Sequence, residues 1–310
     1  MAIKEGFISS VLTDLINQLD LERIEENLFR GDSRDIGSAQ VFGGQVIAQA
    51  LSAAYKTVDK RIAHSLHAYF LRRGDMEAPI IYEVDRARDG GSFSVRRVVA
   101  IQHGRPIFNM AASFHIEEDG LTHQSEMPKV EGPENFKNLN ELMTDEVINL
   151  IPEKLRKFLT KERPFEFRPI NPINILKPEK LPPSKQVWIK STKNVMDDLV
   201  LHQCLLAYVS DFELLGTCLR PHGFALPFGD GKLQVASLDH AIWFHRKVKV
   251  DDWFLYTSDS PNAHGARGFA RGKIFNREGI LLASVTQEGL IRIPNANKKN
   301  TRTSDPRLQI

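Results

Sequence analysis

The amino-acid sequence predicts an α+β protein in which one unit, a long helix followed by an antiparallel meander of strands, occurs twice. Residues 41–58 and 197–215 have the apolar pattern of long helices, and several strand-like runs follow each of them. The two helices also align residue by residue, VIAQALSAAYKT at 46–57 with VLHQCLLAYVSD at 200–211. A repeated order of elements with aligned helices indicates an internal duplication.

Composition and charge exclude several classes of protein. The 310 residues are 42% hydrophobic and 26% charged, which is typical of a globular chain. A net charge of +2 with scattered basic residues argues against nucleic-acid binding. The two cysteines, Cys204 and Cys218, are too few for a disulfide framework and favour a reducing compartment, so we expect a cytoplasmic protein. We expect no membrane association, because no apolar run approaches the length of a spanning helix.

The first half of the chain contains the first copy of the unit. An amphipathic helix at 8–19 and a short strand at 27–31 precede the long helix at 41–58, which begins at a glycine pair. Small residues along this helix allow close packing on a sheet. The strands that follow are predicted at 63–72, 80–88, 92–102 and 106–116, with glycine-containing turns between them.

The second copy of the unit follows a segment rich in proline and charge, in which we predict one helix, at 139–159. After the helix at 197–215, strands are predicted at 234–247, 253–260, 266–276 and 280–293, with one turn at Pro261 and Asn262. We therefore predict an N-terminal domain at 1–120, a connector at 121–185, a C-terminal domain at 186–294 and a disordered tail at 295–310.

The second long helix carries a carboxylate, Asp211, that no nearby basic residue can neutralise. No Lys or Arg occurs between Lys193 and Arg220, and the helix is apolar on nearly all faces, as buried helices are. Burial without a cation raises the pKa of a carboxyl toward the value that a general base needs near neutral pH. An alternative stays open at this point: Asp211 caps its own helix or faces water where the helix ends.

Differences between the two copies single out two polar residues of the second, Asp211 and Gln287, and Ser237 on a third element of the same copy completes a polar trio. Asp211 aligns with Thr57, and Gln287 of the last strand aligns with an apolar residue of the first copy, while Ser237 lies near the start of a long strand. A carboxylate, a hydroxyl and a carboxamide can together hold and orient one water molecule for hydrolysis. Drift between two structural copies is the alternative explanation of the asymmetry.

Further residues are candidates for supporting roles. Gly44 and Gln45 begin the first long helix, where backbone N–H groups and the positive end of the helix dipole can stabilise an oxyanion. His64 begins a long strand and is a candidate for contact with the substrate. Histidines 64 and 67, like 240 and 245, are spaced so that they face opposite sides of a strand, which disfavours a metal site. We expect neither a metal nor a cofactor, since the nucleotide-binding and zinc-protease motifs are absent from the sequence.

Several stretches of the sequence carry a family resemblance, among them FRGDSRDIGSAQVFGGQVIAQAL, HSLHAYFLRRGD, QVWIK, YVSDFELL, SLDHAIWFHR and ARGFARGKIFNREGILLASVTQEGLIR. Through them the sequence resembles bacterial acyl-CoA thioesterase II and its peroxisomal relatives across nearly the whole chain. The resemblance implies a double hotdog fold, two tandem hotdog domains in each of which an antiparallel sheet wraps around a long helix. It also implies hydrolysis of acyl-CoA, here of medium to long chain length, by the family's catalytic trio, which falls on Asp211, Ser237 and Gln287. His64 matches a histidine once considered catalytic in this family.

The same resemblance sets expectations about partners and location. We expect an acyl-CoA substrate whose phosphates meet arginines such as Arg267 and Arg271. The two hotdog sheets should join edge to edge within the chain, and the remaining exposed surface predicts a homo-oligomer, a dimer or a tetramer. The chain ends in RLQI and lacks a Ser-Lys-Leu type of peroxisomal signal, which favours the cytoplasm.

Two other functions stay open from the sequence alone. One is a hotdog enoyl-CoA hydratase, which is disfavoured because it would need an Asp and a His acting together, and the trio contains no histidine. The other is a non-catalytic acyl-CoA-binding protein.

Overall fold

The computed structural model describes residues 10–38, 40–151, 153–225 and 233–294. Within these residues the strands form one continuous, mainly antiparallel sheet of 13 strands, and two buried helices lie side by side against it. The predicted tail at 295–310 lies outside the described residues.

The first half follows the predicted order of elements. Ser10 caps the first helix by accepting a hydrogen bond from the backbone N–H of Thr13 at 3.2 Å. The elements of this half are α1 (Val11–Leu19), β1 (Glu22–Glu25), β2 (Leu28–Gly31), α2 (Gly43–Tyr55), β3 (Ile62–Phe70), β4 (Ile80–Asp89), β5 (Phe93–Gln102) and β6 (Arg105–His115).

The connector differs from the prediction in its helices. Instead of one helix at 139–159, the structure has α3 (Leu139–Leu142), α4 (Asp145–Leu150) and α5 (Glu153–Thr160). Asn138 forms a capping box at the start of α3 and Thr144 caps α4. Ile151 precedes a proline in the sequence and has extended backbone angles, φ −83° and ψ 136°, as steric contact with a following proline favours. The local caps and this proline end the helix that apolar spacing alone predicted.

Two strands within the proline-rich segment were missed by the sequence analysis. They are β7 (Phe165–Pro169) and β8 (Ser184–Ser191), which pair with each other. The second half's sheet includes both, and the predicted domain boundary at residue 186 falls inside β8. The prolines and charged residues of the intervening loop favour a loop over strands in the sequence. The two short strands form because they pair with each other and, through β8, with a distant strand of the second half.

The second half contains α6 (Leu199–Ser210), α7 (Leu214–Leu219), β9 (Gln234–Ser237), β10 (Asp239–Phe244), β11 (Phe254–His264), β12 (Arg267–Asn276) and β13 (Leu281–Arg292). Asp198 caps α6 by accepting hydrogen bonds from the next turn. The predicted helix at 197–215 is wrong in length, because α6 ends at Ser210 and a turn separates it from α7. The predicted strand at 234–247 is divided into β9 and β10.

The predicted turn at Pro261 and Asn262 is also wrong. β11 continues through both residues to His264, and the pairing of β11 with β12 shifts by one residue between Asp259 and Asn262. A bulge accommodates a proline, which cannot donate to the ladder of hydrogen bonds. The chain turns instead at Gly265 and Ala266, whose φ angles are +59° and +60°.

The strand order confirms the double hotdog fold. It runs β1-β2-β4-β5-β6-β3-β10-β13-β12-β11-β8-β7, and β9 pairs with β13. β3 of the first half pairs with β10 of the second, for example His67 with Ala241, so the two sheets join edge to edge as predicted. Each half contributes one long helix, and α2 and α6 pack against each other between the halves.

Helix α6 lies in the core, as its apolar composition predicted. Leu205, Leu206, Ala207 and Val209 have no exposed surface. The stretch Leu199–His222 has the length and composition that a membrane-spanning helix needs, contrary to the expectation that no run approaches that length. Of its most apolar window, 67% is buried inside the protein, as a core helix of a water-soluble fold would be. Both cysteines are free and buried, and their bearing on the compartment stays a prediction.

Candidate active site

Asp211 lies where the end of α6 meets the beginning of α2. Its side chain is 4% exposed, and its carboxylate accepts hydrogen bonds from the side chain of Gln287 and from the backbone N–H of Gly44. Asp211 is the residue at which α6 ends, but its side chain neither faces water nor bonds its own helix. This removes the alternative left open by the sequence. Burial raises the pKa of this carboxyl from 3.8 to about 7, and the two hydrogen bonds oppose part of that rise.

The trio predicted from the sequence comes together in space. Nε2 of Gln287 is 2.6 Å from Oδ1 of Asp211 and 3.2 Å from Oγ of Ser237. Gln287 has no exposed surface, and its Oε1 is buried without a hydrogen-bond partner among the described residues. An unpaired buried acceptor next to a carboxylate and a hydroxyl is suited to hold a polar ligand the size of water.

A bulge between β9 and β10 adds a residue that the sequence analysis did not assign to the site, His240. Ser237 pairs with Gly289 but Ala241 pairs with Thr286, so this chain has one more residue than β13 over the same interval. Two residues that are three apart normally face opposite sides of a strand, and one extra residue turns both to the same side. Nδ1 of His240 is consequently 3.4 Å from Nε2 of Gln287.

The residues behind the trio hold it in place. Nε2 of His240 lies 2.9 Å from Oγ of Ser210, the last residue of α6. The hydroxyl of Tyr256 donates to the backbone carbonyl of Ser210 at 2.9 Å. Gly272 leaves room for that ring, because a Cβ on Gly272 would lie 2.4 Å from the Tyr256 ring. The end of α6, and with it Asp211, is thereby fixed against the sheet.

The equivalent space in the first copy is filled. Arg96 is 1% exposed, and its guanidinium donates to Oγ1 and to the carbonyl oxygen of Thr57 at 2.8 and 2.9 Å. Arg96 pairs with Ala112 across the strands, as Ala270 pairs with Gln287 in the second copy. The first copy thus has a buried cation and no carboxamide where the second has a carboxylate and a carboxamide, so the polar trio exists once among the residues that the structure describes.

The helix N-terminus predicted to stabilise an oxyanion is at the site. The backbone N–H of Gly44 faces the Asp211 carboxylate. The side chain of Gln45 points elsewhere, since its Oε1 accepts the backbone N–H of Arg34 at 2.8 Å and its Nε2 is 3.4 Å from the carbonyl oxygen of Asp32. Gln45 therefore holds the loop before α2, and a contact between Gln45 and substrate stays a prediction.

The structure does not bring His64 to the trio. Its Nε2 is 2.8 Å from Oγ of Ser113, and its ring packs edge-on against the ring of Phe93 in the first half. Burial lowers the pKa of this imidazole. His64 has the contacts of a hydrogen-bonded strand residue, and its role toward substrate stays a prediction.

Arg267 and Arg271 lie on the side of β12 opposite to the trio. Ala270 pairs directly with Gln287 and is buried, so the arginines on either side of it project from the other face of the sheet. Arg267 pairs with Glu288 at 2.9 Å and Arg271 with a carboxylate of β11 at 2.6 Å. Contact between these arginines and the CoA phosphates stays a prediction.

Aromatic rings line one side of Asp211. The ring centroids of Phe42 and Phe212 are 4.3 Å apart, and those of Phe42 and Tyr208 are 5.2 Å apart. Tyr208 and Phe212 also border a small cavity whose other lining residues include Arg34 and Arg163. These rings belong to residues close in the chain to Asp211 and Gly44, and they form an apolar surface that could contact an acyl chain. In the described part of the chain, His, Cys, Asp and Glu side chains form no cluster suited to a metal ion.

Comparison with known proteins agrees with this fold. Residues 155–290 match the sequence model of the acyl-CoA thioesterase family, and residues 30–115 match that of the acyl-CoA thioesterase N-terminal domain. Acyl-CoA thioesterase 2 of Haemophilus influenzae is 46% identical over 92% of this chain and 99% of its own length. Human acyl-coenzyme A thioesterase 8 is 38% identical over 93% of this chain and 91% of its own.

Solved structures show the same relationship. The acyl-CoA thioesterase II TesB2 of Mycobacterium marinum superposes with a TM-score of 0.73 at 39% identity, covering 91% of this chain and 99% of that one. A protein with a hot dog fold from Alicyclobacillus acidocaldarius, at 15% identity and a TM-score of 0.72, shares the fold. Identity of this extent over both halves of the chain establishes that it belongs to the TesB-like acyl-CoA thioesterase II family of thioester hydrolases.

Proposed function

We propose that this thioesterase hydrolyses its acyl-CoA substrate with a water molecule that Asp211, Ser237 and Gln287 position, and that Asp211 is the general base. The observation that carries the proposal is the buried Asp211 carboxylate, whose pKa is about 7 and which Gln287 connects to Ser237. A base with a pKa near the working pH is ionised often enough to act and basic enough to accept a proton.

The reaction would proceed in two steps. Water donates one proton to the Asp211 carboxylate, and its oxygen attacks the thioester carbonyl carbon to form a tetrahedral oxyanion. The buried Oε1 of Gln287 accepts a hydrogen bond from the other O–H of the water and fixes its orientation. The negative charge passes from the carboxylate to the oxyanion, and the N-terminus of α2 at Gly44 stabilises it there. The intermediate then expels the CoA thiolate, to which protonated Asp211 returns the proton.

An enoyl-CoA hydratase needs an Asp and a His close together, and the structure has such a pair. Nδ1 of His240 is 3.9 Å from Oδ1 of Asp211, although the trio named from the sequence contains no histidine. The family assignment favours the thioesterase instead. Release of free thiol from acyl-CoA, measured with a thiol reagent while enoyl-CoA hydration is followed separately, distinguishes hydrolysis from hydration and from binding alone.

Ser237→Ala and Gln287→Ala should each lower turnover by about tenfold or more, and the double variant should lose much less than the product of the two losses. The reason is that both side chains serve the same water molecule. Steady-state kinetics of the two single variants and the double variant measure the coupling. Thr286→Ala is the matched control, since Thr286 neighbours Gln287 on the opposite face of β13. Fully multiplicative losses would show that the two side chains act independently.

We further propose a preference for medium- to long-chain acyl groups. The supporting observation is the aromatic surface of Phe42, Tyr208 and Phe212 beside Asp211, which would gain contact with each added methylene. We expect kcat/KM to rise from butyryl-CoA to lauroyl- and palmitoyl-CoA. Phe212→Ala should reduce the rate for palmitoyl-CoA more than for butyryl-CoA. Equal kcat/KM for all three substrates in the parent enzyme would contradict the preference.

We also propose that the chain forms a dimer or a tetramer. Its sheet is open at β1 and β7, and its outer face exposes large apolar side chains such as Tyr69, 60% exposed, and Phe93, 43% exposed. Open edges and exposed apolar surface favour association. Light scattering at micromolar concentration should give a mass at least twice that of the 35.1 kDa chain. A mass of one chain at that concentration would refute self-association.

A further inference from the structure

His240 is buried beside the trio, yet the proposed mechanism assigns it no step. It is 1% exposed, and its two ring nitrogens face different groups: Nε2 faces Ser210, and Nδ1 faces Gln287 and Asp211. Which nitrogen carries the proton decides whether the ring donates to the site or accepts from it.

The hydroxyl of Ser210 determines the position of that proton. Its Oγ is 2.9 Å from the carbonyl oxygen of Ala207 and 2.9 Å from Nε2 of His240. A hydroxyl has one proton, and a carbonyl oxygen can only accept. The arrangement that satisfies both contacts therefore has Ser210 donating to Ala207 and accepting from His240. These partners assign the proton to Nε2 and a lone pair to Nδ1. The ring is neutral, because burial lowers the pKa of His240 to about 3.

The lone pair on Nδ1 constrains Gln287. It lies 3.4 Å from the amide nitrogen of Gln287, a long contact in which the amide can only be the donor. A flipped amide would place its oxygen against both this lone pair and the Asp211 carboxylate, which is repulsive on two counts. The amide nitrogen of Gln287 therefore faces His240 and Asp211. Its Oε1, which has no partner among the described residues, stays available to accept a hydrogen bond from water.

The same lone pair affects Asp211. Nδ1 is 3.9 Å from Oδ1 of Asp211 and, without a proton, cannot donate to the carboxylate. The other titratable side chain of the described residues that acts on Asp211 is Tyr256 of β11, whose hydroxyl donates to the Ser210 carbonyl. Glu213, on the turn after Asp211, pairs with Lys185 instead. The α2 and β13 partners are the neutral donors already described. A proton on Nδ1 would direct a positive N–H dipole at the carboxylate 3.9 Å away, which would stabilise its ionised form and weaken the base.

We propose that Ser210 and His240 are positioning residues that hold the imidazole as its Nε2–H tautomer, and thereby orient the Gln287 amide and keep Asp211 basic. This inference rests on the proposed role of Asp211 as general base. A histidine that only fills space in the core would affect stability and nothing else.

Ser210→Ala tests the role of the tautomer. Without the hydroxyl, the proton can move to Nδ1, where the N–H faces Asp211. We expect the acidic limb of the profile of kcat against pH, which lies near pH 7 in the parent, to move down by about one pH unit. On the plateau, kcat should fall at least about tenfold with little change in KM. The matched control is Ser258→Ala. It also removes a buried hydroxyl, but one whose hydrogen-bond partner, at 2.8 Å, is the hydroxyl of Thr217 and not a residue of the trio. It should leave the acidic limb in place.

Histidine ring ¹⁵N spectra provide a readout that is independent of activity. The resonances of His240, identified as those missing in His240→Asn, should show Nε2–H in the parent and a shift toward Nδ1–H in Ser210→Ala. His240→Asn, whose side-chain oxygen can still accept from Gln287, should retain at least about ten times the turnover of His240→Leu, which cannot.

The outcomes separate this inference from the mechanism on which it rests. If Asp211→Asn abolishes the acidic limb while Ser210→Ala leaves both that limb and the imidazole tautomer as in the parent, the tautomer inference is wrong and the general base stands. Equal turnover in His240→Asn and His240→Leu would also overturn it. If Asp211→Asn keeps normal turnover, the general-base proposal itself fails.

Discussion

Asp211→Asn should lower turnover by about 10²- to 10⁴-fold, the loss typical of removing a general base. Asparagine keeps the size of the side chain and can still accept the hydrogen bond from Gln287, but it cannot take a proton from water. The loss should appear in kcat, because the carboxylate is needed for the chemical step. Asp85→Asn is the control, since it makes the same change in an exposed carboxylate that lies 3.9 Å from Arg97.

The same substitution should stabilise the fold at alkaline pH. The pKa of Asp211 is raised from 3.8 to about 7 in the folded protein, so folding disfavours its ionised form. That cost is absent below about pH 4, grows as the pH rises and reaches at most about 4 kcal/mol above pH 7. Asp211→Asn should therefore melt at a higher temperature than the parent at pH 8, with a smaller difference at pH 5. Normal turnover in a folded Asp211→Asn would remove this carboxylate from the mechanism.

Gly44→Ala should be the most damaging substitution outside the trio. A Cβ on Gly44 would lie 2.3 Å from the backbone carbonyl oxygen of Tyr208 and 2.5 Å from the ring of Phe42. A backbone atom cannot rotate away, so α2 and α6 would have to separate, at a cost of about 1–3 kcal/mol or more. The movement would also carry the Gly44 N–H away from Asp211, and a displacement of about 1 Å can reduce turnover about 10²-fold.

Gly216→Ala is the matched control for Gly44→Ala. Gly216 lies in α7, and a Cβ there would have no heavy atom within 4 Å beyond its own helix and chain neighbours. Where the added methyl group has free space, replacing a helical glycine by alanine raises the free energy of unfolding by up to about 1 kcal/mol. Thermal unfolding and steady-state kinetics of both variants would check the prediction. Similar effects from both substitutions would show that the close contact between α2 and α6 is not the reason why position 44 requires glycine.

The duplication made two residues of the trio, Asp211 and Gln287, accessible from the sequence alone. Aligned helices placed Asp211 opposite Thr57, and the strands placed Gln287 opposite an apolar residue, which the cross-strand pairing identifies as Ala112. The order of elements likewise predicted two helix-and-sheet units. These features depend on apolar spacing and on chain order, both of which can be read without knowing any distant contact.

What replaced the trio in the first copy was not accessible in this way. Arg96 fills the equivalent space, and no pattern in the sequence distinguishes it from the neighbouring arginines of the first copy. Only packing shows that its guanidinium is buried against Thr57. The short strands β7 and β8 were missed for a related reason, since pairing with distant strands stabilises them more than local propensity does.

The sequence by itself determined the repeated fold and the three polar residues that stand apart from the apolar core of the second copy. The tertiary structure alone decided that His240 belongs with them. Strand periodicity assigns residues 237 and 240 to opposite faces, and the extra residue in the pairing with β13 reverses that assignment. A bulge is defined by the register between two strands that are distant in the chain, so no local pattern in either strand reveals it.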